Sequence, residues 1–322
     1  MCGEIDRACN HLNIYAYIHT KMAGLEIRDS VLFYDNNTAY YIRDYYYYIY
    51  ELVKEIMKHT PTRSNSTIKI HINYEHTLVI PGGRDTNGSP VGSIPVLNTP
   101  GMNYLVRLPD LDKLVTSDII FDYSIPNCKN VESSSDYSYL FKKYIYVPPL
   151  LYPLRIDINN RHIDILTTFI NTNEPRRKEL LDKIKSNNLP HHNINTCFDK
   201  NQLQAIYNST KIIINIHQTD HHHTFEELRV LPALLCGVIV VCEESPLMEH
   251  IPYKDYVIWC KYNEVIDLTK HIMDNYTTYY ELLFSETKIN NLRNIIESLH
   301  INTILMIHKA LLQQLPCSIR VV

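Results

Sequence analysis

Glycine is scarce: only 8 of 322 residues, and five of these (Gly82, Gly83, Gly88, Gly92, Gly101) fall within one twenty-residue stretch. Neither GxGxxG nor GxxxxGK[ST] occurs. This excludes Rossmann dehydrogenases, P-loop NTPases and kinases, whose phosphate sites need a glycine-patterned turn. Single-sign charge is also missing. With 31 basic and 35 acidic side chains and a net charge of −4, the chain lacks the basic footprint of a nucleic-acid binder or of a protein held on an anionic membrane. No uninterrupted apolar run reaches the roughly 18–20 residues of a spanning helix. The first residues, MCGEIDRACNHLN, lack the basic-then-apolar layout of a signal peptide. Eight cysteines are scattered without a CxxC pair, as expected for reduced thiols in a cytosolic protein. The expectation is therefore a cytoplasmic protein with no membrane span and no nucleic-acid partner.

What is present is a large apolar fraction, 45%, with 20% charged residues. That is enough to bury a sizeable core without disulfides or metal. Tyrosine is abundant, at 25 residues, and the wealth of Ile, Asn, Lys and Tyr is the skew that AT-rich coding produces. The first half reads as short β-rich runs (12–19, 31–35, 67–80, 118–124) around one helix over about 43–57. Tyr45 to Tyr48 inside that helix suit either an aromatic platform for a ligand or a helix that buries half of its tyrosines.

Three prolines in YVPPLLYPLR (146–155) favour an extended connection. They divide the chain into an N-terminal domain, 1–147, a linker, 148–154, and a C-terminal domain, 155–322, with amphipathic helices over about 277–314. Beyond the linker, strands at 163–170, 193–198, 211–217, 238–244 and 256–260 alternate with helices at 174–188, 200–210 and 225–236. Asn173 is a plausible cap and Pro175 a first-turn residue. Short apolar strands alternating with amphipathic helices predict an α/β fold with a parallel sheet covered by helices. Ligands then bind at the carboxyl ends of the strands.

Those ends carry the chemistry. Arg176, Arg177 and Lys178 open a helix whose amino end already favours an anion, so the turn reads as a phosphate site or as a solvated basic turn. The run HQTDHHHTFEELR (217–229) holds four histidines, but without HExxH spacing. It suits a loop holding phosphate or sugar hydroxyls better than a metal, and plain surface loop is the third reading. Glu226 and Arg229 share a helix face at i, i+3, and Glu243 and Ser245 close the next strand. In the first half, Gly82 and Gly83 allow close backbone approach to a ligand, placing Arg84 and Asp85 nearby; the alternative is a surface loop. Glu75 and His76 lie near the end of strand 67–80. His76, or failing it Asp85, is the candidate general base; a satisfied strand histidine is the alternative. The Asp-x-Asp at 110–112 sits in a polar, helical segment and not at a strand end.

The run KIIINIHQTDHHHTFEELRVLPALLCGVIVVCEES resembles the donor-binding core of GT-B fold glycosyltransferases, closest to a branch found in large DNA viruses and bacteria. TFINTNEPRRKELL resembles that family's first donor-domain strand with its Arg-Arg turn. The likeness covers about 145–262, with fainter acceptor-side segments in INYEHTLVIPGGRD and DIIFDYSIPN. It implies two Rossmann-like domains facing a cleft, and transfer of a sugar from a nucleotide sugar to a hydroxyl of a glycan or glycoprotein, without metal or other cofactor. Arg176, Arg177, His217, Glu226, Arg229, Glu243 and Ser245 would hold the donor. His76 and Asp85 would be catalytic, and Glu75, Gly82, Gly83 and Arg84 acceptor-side. One departure stands out: many GT-B enzymes place a second Glu where this chain has Pro232, which makes Glu243 the substitute for ribose recognition. A non-catalytic nucleotide-sugar-binding protein and a nucleotide-sugar epimerase of the same architecture are the alternatives.

Overall fold

The computed structural model describes residues 23–28, 31–34, 43–59, 67–79, 96–98, 104–108, 111–195 and 199–313. The fold is α/β, with parallel strands and covering helices. The first sheet contains β1 (Ala23–Arg28), β2 (Val31–Tyr34), β3 (Ile68–Asn73), β7 (Ile119–Asp122) and β8 (Tyr144–Tyr146), in the order β2-β1-β3-β7-β8. Here β3, β7 and β8 run parallel, while β1 is antiparallel to both of its neighbours. A small antiparallel sheet joins β4 (Leu78–Val79), β5 (Val96–Asn98) and β6 (Leu105–Arg107). The second large sheet is wholly parallel: β9 (Ile163–Thr167), β10 (His191–Asn193), β11 (Thr210–Asn215), β12 (Ile239–Glu243) and β13 (Val257–Cys260), ordered β10-β9-β11-β12-β13.

The parallel strands form because their residues are apolar on both faces: Ile212, Ile213 and Ile214 in β11 and Ile239 to Val241 in β12 are fully buried. The first sheet is covered by helix α1 (Arg43–Lys58), which buries Tyr45, Tyr46, Ile49 and Val53 against Ile70, Ile72 and Phe121. Tyr45 also donates its hydroxyl to the Val147 carbonyl at 2.7 Å, so the front of the tyrosine run is core and not a ligand platform. Among the described residues the remaining α-helices are α2 (Leu111–Thr116), α3 (Ile125–Glu132), α4 (Ser138–Phe141), α5 (Pro175–Ser186), α6 (Lys200–Asn208), α7 (Glu227–Leu235), α8 (Val265–Asp274), α9 (Tyr276–Phe284) and α10 (Glu286–Gln313). The 28-residue α10 is long and apolar enough, by length and composition, to cross a bilayer. Here its far end returns to the first sheet, where Ile307 and Leu311 join the core around α1.

Four local expectations change. The strand expected at 193–198 is β10, His191–Asn193, which ends where that run was to begin. The run 67–80 is not one strand: β3 stops at Asn73, and Glu75 and His76 lie in the loop before β4. The break follows from Asn127, whose side-chain oxygen accepts from the Thr77 N–H at 3.1 Å and takes that donor out of any ladder. β9 ends at Thr167 instead of 170, because Phe169 turns back to bond Asn193. The cap residue of α5 is Glu174 rather than Asn173, with no side-chain capping bond.

Arg161 anchors the helical layer. It is buried and donates to the carbonyls of Tyr207, Thr210 and Cys236, placing a cation at the carboxyl ends of α6 and α7. Gly237 makes room for it. Its φ is +72°, and a Cβ there would stand 2.8 Å from Arg161 Nη2 and 3.2 Å from the Ile156 backbone. Gly237→Ala is expected to cost about 2 kcal/mol, read as a lowered urea midpoint with an unchanged m-value.

Candidate functional site

A cavity of about 420 Å³ opens between the loop after β3 and the carboxyl ends of β9, β10 and β11, a size typical of small-molecule sites. The first half contributes Tyr74, Glu75 and His76, just past β3. The second contributes Thr168, Ile170 and Asn171 after β9, Ile194 after β10, His217 and Gln218 after β11, and Arg177, Glu226, Leu228 and Arg229 from the starts of α5 and α7. Six of the expected residues thus meet: Glu75, His76, Arg177, His217, Glu226 and Arg229.

The two arginines of the α5 turn divide their work. Arg176 faces away from the cavity into a carboxylate cage. It grips Glu243 with both Nη atoms, at 3.0 and 2.6 Å, reaches Asp220 through Nε at 2.5 Å, and lies over the Tyr262 ring at 4.2 Å. Arg177 is only 6% exposed and lies over Phe169 at 4.9 Å. It has no ion-pair partner among the described residues, and its Nε is a buried donor without an acceptor. Burial and the nearby Arg229 push its guanidinium down to about 10. An unpaired buried cation is costly. Arg229, held by Asn215 at 2.6 Å, lines the same wall.

Glu243 and Ser245 do not line the cavity. Both carboxylate oxygens of Glu243 bind Arg176, and one also accepts from the His217 N–H at 2.9 Å. Burial opposes its ionisation, but Arg176 and His217 outweigh it and hold the carboxyl below its usual range. Both of its oxygens are thus engaged within the protein, away from the cavity. Ser245 donates to the His223 carbonyl at 2.7 Å and so shapes the histidine loop. Gly82, Gly83, Arg84 and Asp85 lie outside the described residues.

The histidine loop is a bracket between the halves. Val79 and His222 form a β-bridge, the His223 N–H bonds the Leu78 carbonyl at 3.0 Å, and the Thr224 hydroxyl meets both Leu78 N–H and Asn127 Oδ1 at 3.1 Å. His217 stacks on His223 with ring centres 4.5 Å apart, and His222 stands 5.2 Å from His76. Among the described residues no three His, Cys, Asp or Glu side chains are placed to share a metal ion. His76 Nδ1 lies 3.1 Å from Glu226 Oε1. The two are out of hydrogen-bond alignment, and both atoms are buried without another partner. The Thr168 hydroxyl is orphaned likewise. Arg177 Nε and the Thr168 hydroxyl thus stand at the cavity as buried polar atoms without a partner, and His76 Nδ1 and Glu226 Oε1 face only each other.

Sequence reasoning missed the residues that seat this wall. Asn127 Oδ1 gathers Thr77 and Thr224 from the two halves. Glu227, fully buried, accepts from Tyr146 at 2.6 Å, Tyr253 at 2.7 Å and the Ile125 N–H at 2.9 Å. Burial pushes both Glu227 and Asp122 up to about 7. No pattern in the sequence marks Asn127 or Glu227, because their partners lie far away along the chain.

No family model matches the chain. It is similar to viral proteins. It is 26% identical over 189 residues to the uncharacterized protein R358 of Acanthamoeba polyphaga mimivirus, covering 58% of this chain and 63% of that protein. It is 26% identical over 165 residues to uncharacterized protein L140 of the same virus, covering 48% and 51%. A third match, to L138, spans 46% of this chain and 16% of that protein at 25% identity. The chain thus spans less than two thirds of the length of each relative. These relatives are viral and carry no stated activity.

The titration of the site has a defined sign. Burial holds the folded imidazoles below the ordinary 6.5: His71, His191 and His223 at about 4, His76 at about 3 and His222 at about 2. A depressed base contributes stability that is complete above 6.5 and lost as pH falls toward the folded value. Asp122 and Glu227 act oppositely, their contribution being complete below the unfolded carboxylate range and lost as pH rises through 7. The histidines outnumber the carboxylates. The melting temperature is therefore expected to peak near pH 7, with stability falling by roughly 4 kcal/mol per unit below pH 6, the five imidazoles outweighing the two carboxylates by about three protons. Melts from pH 8 to 4 check this, and a flat profile between 5 and 7 contradicts it.

Proposed function

We propose that the chain is a glycosyltransferase of GT-B architecture, moving a sugar from a nucleotide-sugar donor to a hydroxyl of a glycan or glycoprotein acceptor. On this reading 1–147 and 155–322 are two Rossmann-like domains facing a cleft, joined by 148–154, and the 420 Å³ cavity is that cleft. The observation that carries the reading is Arg177: a buried, unpaired guanidinium beside Arg229 at the carboxyl ends of parallel strands. Two such forks suit the oxygens of a nucleotide diphosphate. The acceptor oxygen attacks the anomeric carbon as the bond from that carbon to the phosphate oxygen breaks. The electron pair leaves on the phosphate, where Arg177 and Arg229 balance it, and the acceptor proton passes to His76. No step requires a metal.

A thermal-shift screen of UDP-, GDP-, dTDP- and CMP-sugars tests this. One nucleotide should stabilise the protein by about 2.7 kcal/mol at a hundredfold excess over Kd. If none shifts the melt and none is consumed, the proposal fails. Donor turnover that yields an isomerised sugar without acceptor would favour the epimerase.

A further inference from the structure

We infer that Glu226 is a positioning residue for His76, and that the His76–Glu226 pair is assembled from opposite halves of the molecule. This rests on the transferase reading above and assigns Glu226 a different task from donor binding.

Each partner is fixed by its own half. The Asn127 side chain donates to the Glu75 carbonyl at 3.1 Å and Arg107 donates to the His76 carbonyl at 3.3 Å, pinning the loop after β3. Glu226 precedes α7 with its backbone outside the helical region, φ −81° and ψ 69°, and its carbonyl accepts from Arg229 and Val230 N–H at 3.0 Å. The two side chains are joined by nothing but the 3.1 Å approach of Nδ1 to Oε1. Neither atom has an alternative partner, and both are sealed from solvent. His222 packs beside the ring. A buried carboxylate oxygen without a donor and a ring nitrogen without an acceptor satisfy each other only as Nδ1–H donating to Oε1.

The tautomer is the consequence. With Nδ1 carrying the proton, the lone pair sits on Nε2, on a ring that lines the cavity. When the acceptor hydroxyl gives its proton to Nε2, the imidazolium is stabilised by Glu226 and not by bulk water. Among the described residues the other charged or titratable groups that bear most on this ring are cations or bases: Arg107 from β6, Arg177 from α5, Arg229 from α7, and His217 and His222 from the histidine loop. Glu75, next in the chain, faces Arg107 at 3.7 Å. Glu226 is thus the carboxylate in contact with the ring, and opening the halves removes it.

The test uses the full chain. Side-chain nitrogen NMR should show His76 protonated on Nδ1 in the wild type and should show that preference lost in Glu226→Gln. With whichever of the UDP-, GDP-, dTDP- or CMP-sugars is turned over, Glu226→Gln should lower kcat about a hundredfold. Donor KM should stay within about threefold and the acid limb of the pH profile should move. Glu226→Asp should recover part of the loss. Adding Glu226→Gln to His76→Ala should cost nothing more. Identical His76 resonances in wild type and Glu226→Gln overturn the inference. So does a Glu226→Gln enzyme with normal kcat and weakened donor binding. If no sugar is turned over but NMR shows the coupled tautomer, the pair stands and the transferase reading falls.

Discussion

Arg177→Met is expected to produce a protein that is more stable than the wild type and, on the proposed transferase reading, unable to bind nucleotide. The guanidinium is 6% exposed, without an ion-pair partner among the described residues, and pushed down to about 10 by burial. A displacement of that size corresponds to roughly 3 kcal/mol of unfavourable charge burial. Methionine keeps the contact with Phe169 and removes the charge. Unliganded Arg177→Met should therefore melt higher, by roughly 1–3 kcal/mol after repacking, while ligand-induced stabilisation disappears. Urea unfolding with and without the nucleotide sugar measures both effects. A variant that loses stability and keeps its ligand would show that Arg177 is a structural cation.

Glu227→Ala is expected to act in the opposite sense, and more strongly. One carboxylate satisfies two tyrosine hydroxyls and the Ile125 N–H, drawn from both halves. Alanine orphans three buried donors at about 1–3 kcal/mol each and leaves a void. A loss of about 4 kcal/mol or more is the expected result in denaturant unfolding. Glu227→Gln separates charge from shape. Because burial pushes the Glu227 carboxyl up to about 7, the amide resembles the protonated acid, so its deficit should be smallest at pH 8, where the wild type carries the buried charge.

These two residues show what could be read in the sequence and what could not. The second sheet was legible because strands buried on both faces are short, uniformly apolar runs, as in β11 and β12. Strand ends were not. β9 was extended to Ile170 because its apolar residues continue past Thr167, yet Ile170 is 51% exposed at the cavity rim. The basic turn was legible as a place, but not as a division of labour. Neighbouring helical residues point about 100° apart, and only the distant Glu243 and Asp220 decide that Arg176 is spent and Arg177 is not. Likewise Glu226 and Glu227 are adjacent in sequence. One meets His76 at the cavity and the other locks Tyr146 and Tyr253 behind it. Partners separated by 150 residues leave no periodicity to read.

The return of α10 to the first sheet bears on how the protein comes into being. Ile307 and Leu311 complete the core that α1 and β3 begin, with about 250 residues of chain made between the two. At roughly 5–20 residues per second, that interval is on the order of ten seconds or more. During it the part of this core that Ile307 and Leu311 close stays open on the nascent chain, although β3 and β7 already cover Ile49 and Val53. The first-made half is thus the last to be finished, and a growing polypeptide of this kind is a natural client for chaperones.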